Sequence, residues 1–494
     1  MSLRQAVDPI LMPPRLLRSS TAAVIDTHAH FFNASDVPVR GFIAESVGHN
    51  APAWLQPLIR EMAKLADKLA ERAPTAHQEL NDLNALSDAA RGRSGRQLEA
   101  QVQQWFEQER SEAAQRVADT VAGTGFEREY RELAPQRTLE SGRISPGEVL
   151  EIVGAARKPA LRSGRQVEDV RRRAATAKLE FLFYMLSKRA SNVRTYIDAF
   201  TSEPSGLGID IVLGALVDFD YWLDCPPHSA HEDQIALHQH IASLHGGYLQ
   251  PVVAYNPWTD IEQRGASLAR VRAAWATGAF VAVKIYPPAG FMPAANATSA
   301  AATRKRRPDL KKLDDVLGAF FTACAQDGIP VIAHAARSNG RDAAHDDFSS
   351  PASWHALIRR VAATAQTPVI SLGHFGGDKP ATDWTRQFAD LMRVYPKVRI
   401  FGDLGYWDHL MCDDTVTCAG ARVRLKDAIG TSLGTETAGD RVMFATDWLM
   451  LSQVSDWQAY PERVREGLES IAGAEQVAKI LGGNARNCFA RLPQ

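Results

Sequence analysis

The segment Asp26-Thr27-His28-Ala29-His30-Phe31-Phe32 directly follows a short apolar run. On an extended strand end, residues two apart project the same way, so His28 and His30 can reach one metal ion together. Imidazole is a common ligand for zinc, iron, nickel and copper. Taken alone, the spacing fits equally well two unrelated polar residues at a loop mouth. Three more residues share the same kind of position. His334 closes Pro330-Val331-Ile332-Ala333, His374 follows Val369-Ile370-Ser371-Leu372-Gly373, and Asp447 follows Val442-Met443-Phe444-Ala445-Thr446. A single histidine beside an apolar run is commonly structural. Several metal-type residues at equivalent places are hard to explain by packing and point to a metal site.

The elements that must carry them are short apolar runs: Ala23–Asp26, Ile209–Asp218, Leu249–Tyr255, Phe280–Tyr286, Pro330–Ala333, Val369–Leu372, Val398–Phe401 and Val442–Ala445. They are rich in Val and Ile without strict alternation, as strands buried on both faces should be. Helix-like stretches lie between the later ones: Asp233–Leu244, Thr259–Ala276, Leu313–Gln326, Ser353–Ala365 and Trp384–Val394. Alternating strands and helices predict a parallel sheet, and eight such units predict an α/β (β/α)8 TIM barrel. In that barrel His334, His374 and Asp447 fall on the C-terminal rim, where such barrels place their active sites.

One connection is much longer than the others. From Glu45 to Phe200 the chain is dense in Ala, Arg, Glu, Gln and Leu, which favour helix. Trp54, Leu58, Met62, Leu65 and Leu69 recur at three and four residues and mark an amphipathic helix; Leu179–Phe200 marks another. Breaks fall near Arg91–Gly95, Gly123–Gly125 and Ser141–Gly147. The expected organisation is an N-terminal arm over 1–21, a barrel over 22–44 and 201–494, and a helical insertion over 45–200 after the first strand. The insertion's apolar stripes must bury against the barrel, each other or a second subunit. A pocket wall and a homodimer contact are its expected uses.

His28-Ala29-His30, His334, His374 and Asp447, with Gly373-His374-Phe375-Gly376-Gly377 and the ending Gly483-Asn484-Ala485, resemble the amidohydrolase superfamily. The nearest resemblance is to its amidohydrolase-related branch, which holds metal-dependent hydrolases and non-oxidative decarboxylases of the aminocarboxymuconate semialdehyde type. The resemblance covers 22–44 and about 205–490, not the insertion. It implies that His28, His30, His334 and Asp447 hold a divalent metal, usually zinc. It leaves His374 as an acid/base residue or a ligand to a second ion. Three neutral imidazoles and one carboxylate leave such a cation positive, so water there becomes more acidic. Asp447 is then the best general base, and His374 polarises the substrate or carries a proton to the leaving group.

Lys284, in Val281-Ala282-Val283-Lys284-Ile285-Tyr286, falls on the predicted fourth strand. Binuclear members of the superfamily carry there a lysine carbamate bridging two metals. An unmodified ammonium cannot ligate metal, and it would instead pair with a carboxylate or an anionic substrate. One ion is favoured and two remain open. Arg337 could clamp a substrate carboxylate, and Tyr286 and Trp448 could stack on a ring. Asp403 could orient a ligand histidine. Hydrolysis of a C–N, ester or lactone bond in a small molecule is the first reading. Decarboxylation of an unsaturated or aromatic acid is the second, and a non-catalytic barrel serving binding or assembly is the third.

Other features carry less. His238-Gln239-His240 lies in a helical stretch, where residues two apart diverge. Gly482-Gly483-Asn484 suggests a helix stop followed by an Asn cap. Five cysteines, an odd and sparse set, fit a reducing compartment better than a disulfide framework, and Cys412 and Cys418 lack the matching second pair that a zinc knuckle needs. Lys plus Arg is 56 and Asp plus Glu is 57, a net charge of -1, which gives no case for nucleic acid or an anionic membrane. No apolar run approaches the roughly 18 residues of a membrane helix. The expected location is the cytoplasm.

Overall fold

In the computed structural model, eight short strands are arranged around one axis. They are β1 (Ile25–Ala29), β2 (Ile211–Ala215), β3 (Leu249–Ala254), β4 (Ala282–Ile285), β5 (Val331–His334), β6 (Ile370–Gly373), β7 (Ile400–Asp403) and β8 (Val442–Met443). Each pairs in parallel with the next in sequence order. Thr27 N donates to Phe444 O at 3.1 Å and Asp447 N to His28 O at 2.7 Å, which joins the last strand segment to the first. This is a (β/α)8 TIM barrel. The residues described are 23–39 and 60–493, apart from 62–63, 94, 134–142, 157–166, 202–206, 223–225, 299–308, 338–344, 346, 380–382, 413–415 and 455. The N-terminal arm, Trp54, Leu58, Met62 and Cys225 lie outside the described residues.

Strand faces explain the core. Ile25 and Ile211, which open their strands, cluster with Leu213, Val252, Ile332, Phe401 and Met443, and with Ala485, Cys488, Phe489 and Leu492 from the C-terminal segment. Apolar side chains from the last residues thus fill the barrel end away from the rim. A larger cluster joins the outer faces of the strands to the surrounding helices.

Between β1 and β2 the described residues form α1 (Ala66–Arg72), α2 (Ala76–Ala90), α3 (Arg96–Val121), α4 (Gly125–Leu133), α5 (Pro146–Ala156), α6 (Val167–Met185) and α7 (Arg189–Thr201). Leu65 and Leu69 are buried, as their stripe requires. Thr75 caps α2 by accepting from Gln78 N, and the Gln78 side chain returns the contact. The expected helix over Leu179–Phe200 is two helices. The chain turns after Met185 because Glu79 accepts the amides of Arg189 at 2.8 Å and Ala190 at 2.7 Å, giving α7 its own N-terminal cap.

After β2 come α8 (His231–Leu244), α9 (Pro257–Glu262), α10 (Ala266–Ala276), α11 (Leu310–Asp327), α12 (Pro351–Val361), α13 (Trp384–Val394), α14 (Val416–Ile429) and α15 (Tyr460–Glu469). The single helix expected over Thr259–Ala276 is broken into α9 and α10. Arg264 and Gly265 take φ values of 52° and 88°, which an α-helix cannot contain. Gly482 and Gly483 do not stop a helix either. They lie in a π-helical turn, Lys479–Gly483, that runs on into α17 (Asn484–Cys488) from α16 (Ala474–Ala478). A Cβ at Gly482 would overlap the Ala23 carbonyl oxygen, so glycine there lets the turn sit against the start of β1.

The cysteine expectation also needs correction. Cys412 and Cys418, the latter in α14, form a disulfide with their Cα atoms 6.0 Å apart; Cys324 and Cys488 are free and buried. No helix among the described residues is long and apolar enough to cross a membrane.

Candidate metal centre

The His-x-His spacing works because β1 reaches Ala29, so His28 projects from the strand itself and His30 from just beyond it. The His30 Nδ1 lies 2.9 Å from Ala215 O on β2. A carbonyl can only accept, so Nδ1 carries the proton and Nε2 presents its lone pair. His28 turns Nδ1 towards Asp403 Oδ2 at 3.3 Å, with its Nε2 on the same side as that of His30. Both Nε2 atoms converge on Asp447 Oδ1, at 3.7 Å from His28 and 3.5 Å from His30. Two ligand atoms about 2.0–2.2 Å from a tetrahedral ion are themselves roughly 3.4 Å apart, so these separations suit a shared ion.

His374 and His334 continue the arrangement. The His374 Nδ1–H donates to Gly405 O at 2.9 Å, and the His334 Nε2–H donates to Ala336 O at 3.0 Å. Their remaining nitrogens, His374 Nε2 and His334 Nδ1, face one another at 3.0 Å. With both rings neutral, two lone pairs are opposed. Only a proton or another cation between or beside them relieves this. His374 is also grouped with His28 and Asp403, and the His28 and His374 ring centroids are 5.1 Å apart. The donor set, imidazole nitrogens plus carboxylate, therefore fits a divalent transition metal.

Burial sets the charge states. Desolvation, reinforced by positive neighbours such as Lys284, holds His28, His30 and His334 well below the ordinary imidazole range. Desolvation lowers His374 as well. Neutral imidazole is the ligating form. Burial raises the Asp447 carboxyl well above the carboxylate range, although Lys284 opposes this. Burial also pulls Lys284 down to about 8, against the pull of Asp447 and Asp403. The Lys284 Nζ hydrogen-bonds to His28 Nε2, so β4 brings this lysine into the same cluster.

The backbone is strained where these residues sit. His374, Phe375, Tyr406 and Asp447 have φ values of 66°, 42°, 58° and 56°. Each such residue costs on the order of 1–3 kcal/mol and persists only where its surroundings dictate it. Here Asp403 Oδ1 accepts from His374 N at 2.9 Å and from Gly405 N at 3.0 Å, while the Trp407 indole N–H donates to His374 O at 2.8 Å. Gly373 has a different role. A Cβ there would stand 2.9 Å from Ala333 O and 3.1 Å from His28 Cε1, so the missing side chain makes room for the His28 ring.

The expected substrate residues separate. Tyr286 is half-buried, with its ring against Phe219, Trp222 and His334. Arg337 is exposed just beyond β5. Trp448 does not stack at an open rim as expected. It is fully buried, wedged among Phe31, Tyr184, Tyr196 and Trp457, because the insertion packs over this side of β8. His238 is fully buried and His240 partly so, and they form no metal-type group among the described residues.

Two other His/Asp groups occur among the described residues. In one, of Asp218, Asp220 and His231, the Asn256 amide donates to Asp218 Oδ1 and to Asp220 O, both at 2.8 Å, His231 contacts Asp220, and Arg270 lies 3.6 Å from Asp218. In the other, Asp378 already accepts the His409 amide at 2.8 Å. Sequence reasoning missed Asp26. It is fully buried and accepts from His28 N, Thr446 N, Thr446 Oγ1 and Tyr196 OH. Its place two residues before His28 was the available signal.

Residues 249–491 match the amidohydrolase family model. This match supports an amidohydrolase-related family, with β1 and its His-x-His lying before the matched segment. Similar solved structures include a zinc-bound amidohydrolase from Burkholderia multivorans, at 12% identity over 58% of this chain and 84% of that one, TM-score 0.37. Another is 4-oxalomesaconate hydratase from Rhodopseudomonas palustris, at 14% identity over 62% and 82%, TM-score 0.39. A third is the D314N mutant (in that protein's own numbering) of 5-carboxyvanillate decarboxylase from Novosphingobium aromaticivorans with bound manganese, at 15% identity over 69% and 92%, TM-score 0.39. No curated protein matches the chain. Members of the superfamily bind divalent metals, and the His/Asp groups here are candidates for such a site.

Proposed function

We propose that the chain is a metal-dependent hydrolase of the amidohydrolase type, acting on a C–N, ester or lactone bond of a small molecule. The observation that carries this reading is the convergence of the His28 and His30 Nε2 atoms on Asp447 Oδ1. A divalent ion, zinc by first choice, supplies Lewis acidity there and brings the pKa of water towards neutral. His28, His30, His334 and Asp447 are the residues that hold it. His374 is the acid/base partner, or a ligand if a second ion binds.

Asp447 is the general base. Burial raises the proton affinity of its carboxyl, which strengthens it as a proton acceptor. The ammonium of Lys284 offsets the charge of Asp447 and Asp403 in a buried setting. At the rim, Arg337 would hold a substrate carboxylate and Tyr286 would flank a planar group.

The contact between His334 and His374 at 3.0 Å favours a second reading, non-oxidative decarboxylation. In that reading His374 delivers a proton to the substrate carbon from which carbon dioxide leaves.

The test is metal analysis combined with a turnover screen. Wild type purified without chelator should hold a divalent metal that the double variant His28→Ala, His30→Ala loses. Carboxylic acid or amine release marks the hydrolase, and carbon dioxide release the decarboxylase. Asp447→Asn should cut turnover by roughly 10²–10⁴. A folded wild type that takes up no metal under any loading condition rejects both readings.

A further inference from the structure

The carboxylate of Asp26 links the two segments that carry the ligands. Its Oδ1 accepts from His28 N at 3.0 Å and from Thr446 N at 3.0 Å. Its Oδ2 accepts from the Thr446 hydroxyl and, at 2.6 Å, from the Tyr196 hydroxyl. Thr446 Oγ1 in turn accepts from Trp448 N at 3.1 Å. One buried carboxylate thus fixes the backbone at His28 and on both sides of Asp447.

Three of these four donors belong to β1 or to the segment after β8. The fourth, Tyr196, belongs to α7, the last helix of the insertion. Its ring is fully buried and lies 5.4 Å from Phe31 and 5.6 Å from Trp448, the residues that follow His30 and Asp447. The insertion therefore meets both ligand segments from behind with one side chain, through its ring and its hydroxyl.

We propose that Tyr196 is a positioning residue of the metal centre, whose hydroxyl acts through Asp26 to set the placement of His28 relative to Asp447. Removing the hydroxyl leaves Oδ2 of a buried carboxylate with one donor fewer, and the carboxylate can then rotate about the bonds that hold both segments. The insertion is on this view a part of the centre. The inference rests on the reading of His28, His30 and Asp447 as metal ligands.

Tyr196→Phe keeps the ring and removes only the hydroxyl. The readouts are the zinc dissociation constant by chelator competition, the visible absorption spectrum of the cobalt(II)-loaded protein, and the thermal midpoint of the metal-free protein. Losing a partner that orients a ligand typically costs 10–100-fold in metal affinity. That loss is expected here, with a shifted or weakened cobalt band. Tyr248→Phe is the control: its ring lies 6.4 Å from that of Tyr196 and its buried hydroxyl makes no hydrogen bond among the described residues, so affinity and spectrum should stay as in wild type. Thr446→Val, which removes the other side-chain donor from the same oxygen, is the second variant and should alter the cobalt band in the same way.

Wild-type affinity and spectrum in both Tyr196→Phe and Thr446→Val, with only the thermal midpoint lowered, would overturn the positioning role and leave the metal centre standing. A wild type that binds neither zinc nor cobalt would overturn the metal centre and this proposal with it.

Discussion

Arg189 is predicted to be the costliest single side chain to remove from the seam between the insertion and the barrel. It is fully buried at the start of α7. Its guanidinium pairs with Asp36, in the loop after His30, and with Glu79 on α2 at 3.1 Å. It also donates to Pro74 O at 2.6 Å, Ser35 Oγ at 2.7 Å and Ser229 Oγ at 3.1 Å. Arg189→Met keeps the bulk and removes every one of these donors. Glu79 retains the two α7 amides, but Asp36 keeps only the longer contact from Asn33 N at 3.2 Å. Breaking a buried ion pair from one side costs about 3–5 kcal/mol, because the partner charge is left uncompensated. Domains are commonly stable by only about 5–15 kcal/mol. Urea unfolding at pH 7 should therefore show a loss of about 3–5 kcal/mol. The triple variant Arg189→Met, Asp36→Asn, Glu79→Gln should recover part of that loss, since no charge is then stranded. A single-variant loss below about 1 kcal/mol, or a triple variant less stable than the single one, would refute the reasoning.

Two other predictions concern titration and metal count. His238 and His245 are fully buried, and desolvation lowers each from 6.5 to about 4. The unfolded chain thus binds more protons between those values, so stability present above pH 6.5 is lost as pH falls towards 4. The loss is about 1.4 kcal/mol per unit for each group, or roughly 3 kcal/mol apiece over the window. Urea midpoints measured from pH 7 to pH 4 should fall accordingly, and midpoints that hold constant would contradict this. Lys284 Nζ is in direct hydrogen-bond contact with His28 Nε2, and the reading favoured here is a single ion, so metal content should stay near one ion per chain when bicarbonate is added. A rise towards two, abolished by Lys284→Ala and partly restored by short carboxylic acids, would instead identify a bridging carbamate.

Much of the fold and half of the site lie open in the sequence because they are local. Runs such as Val281–Ile285 and Val369–Leu372 are apolar without alternation since both faces of a barrel strand are buried, and their ends announce the rim. His28 and His30 share a direction because they stand two apart on an extended chain. Asp447 and His374 are legible by the same rule of position after a strand. Tertiary structure decided what depends on distant partners. Helix propensity runs unbroken through Leu186–Lys188, yet the helix breaks there because Glu79, some hundred residues earlier, caps a new one. Trp448 follows a strand end, as a substrate residue would, but rings from the insertion close over it. The tautomers of His334 and His374 follow from carbonyls on their own and neighbouring loops. Asp26 and Tyr196 are 170 residues apart and meet only because α7 packs behind β1. A pattern of neighbours encodes which way a side chain points; what it finds there is set by chain segments whose approach no local periodicity records.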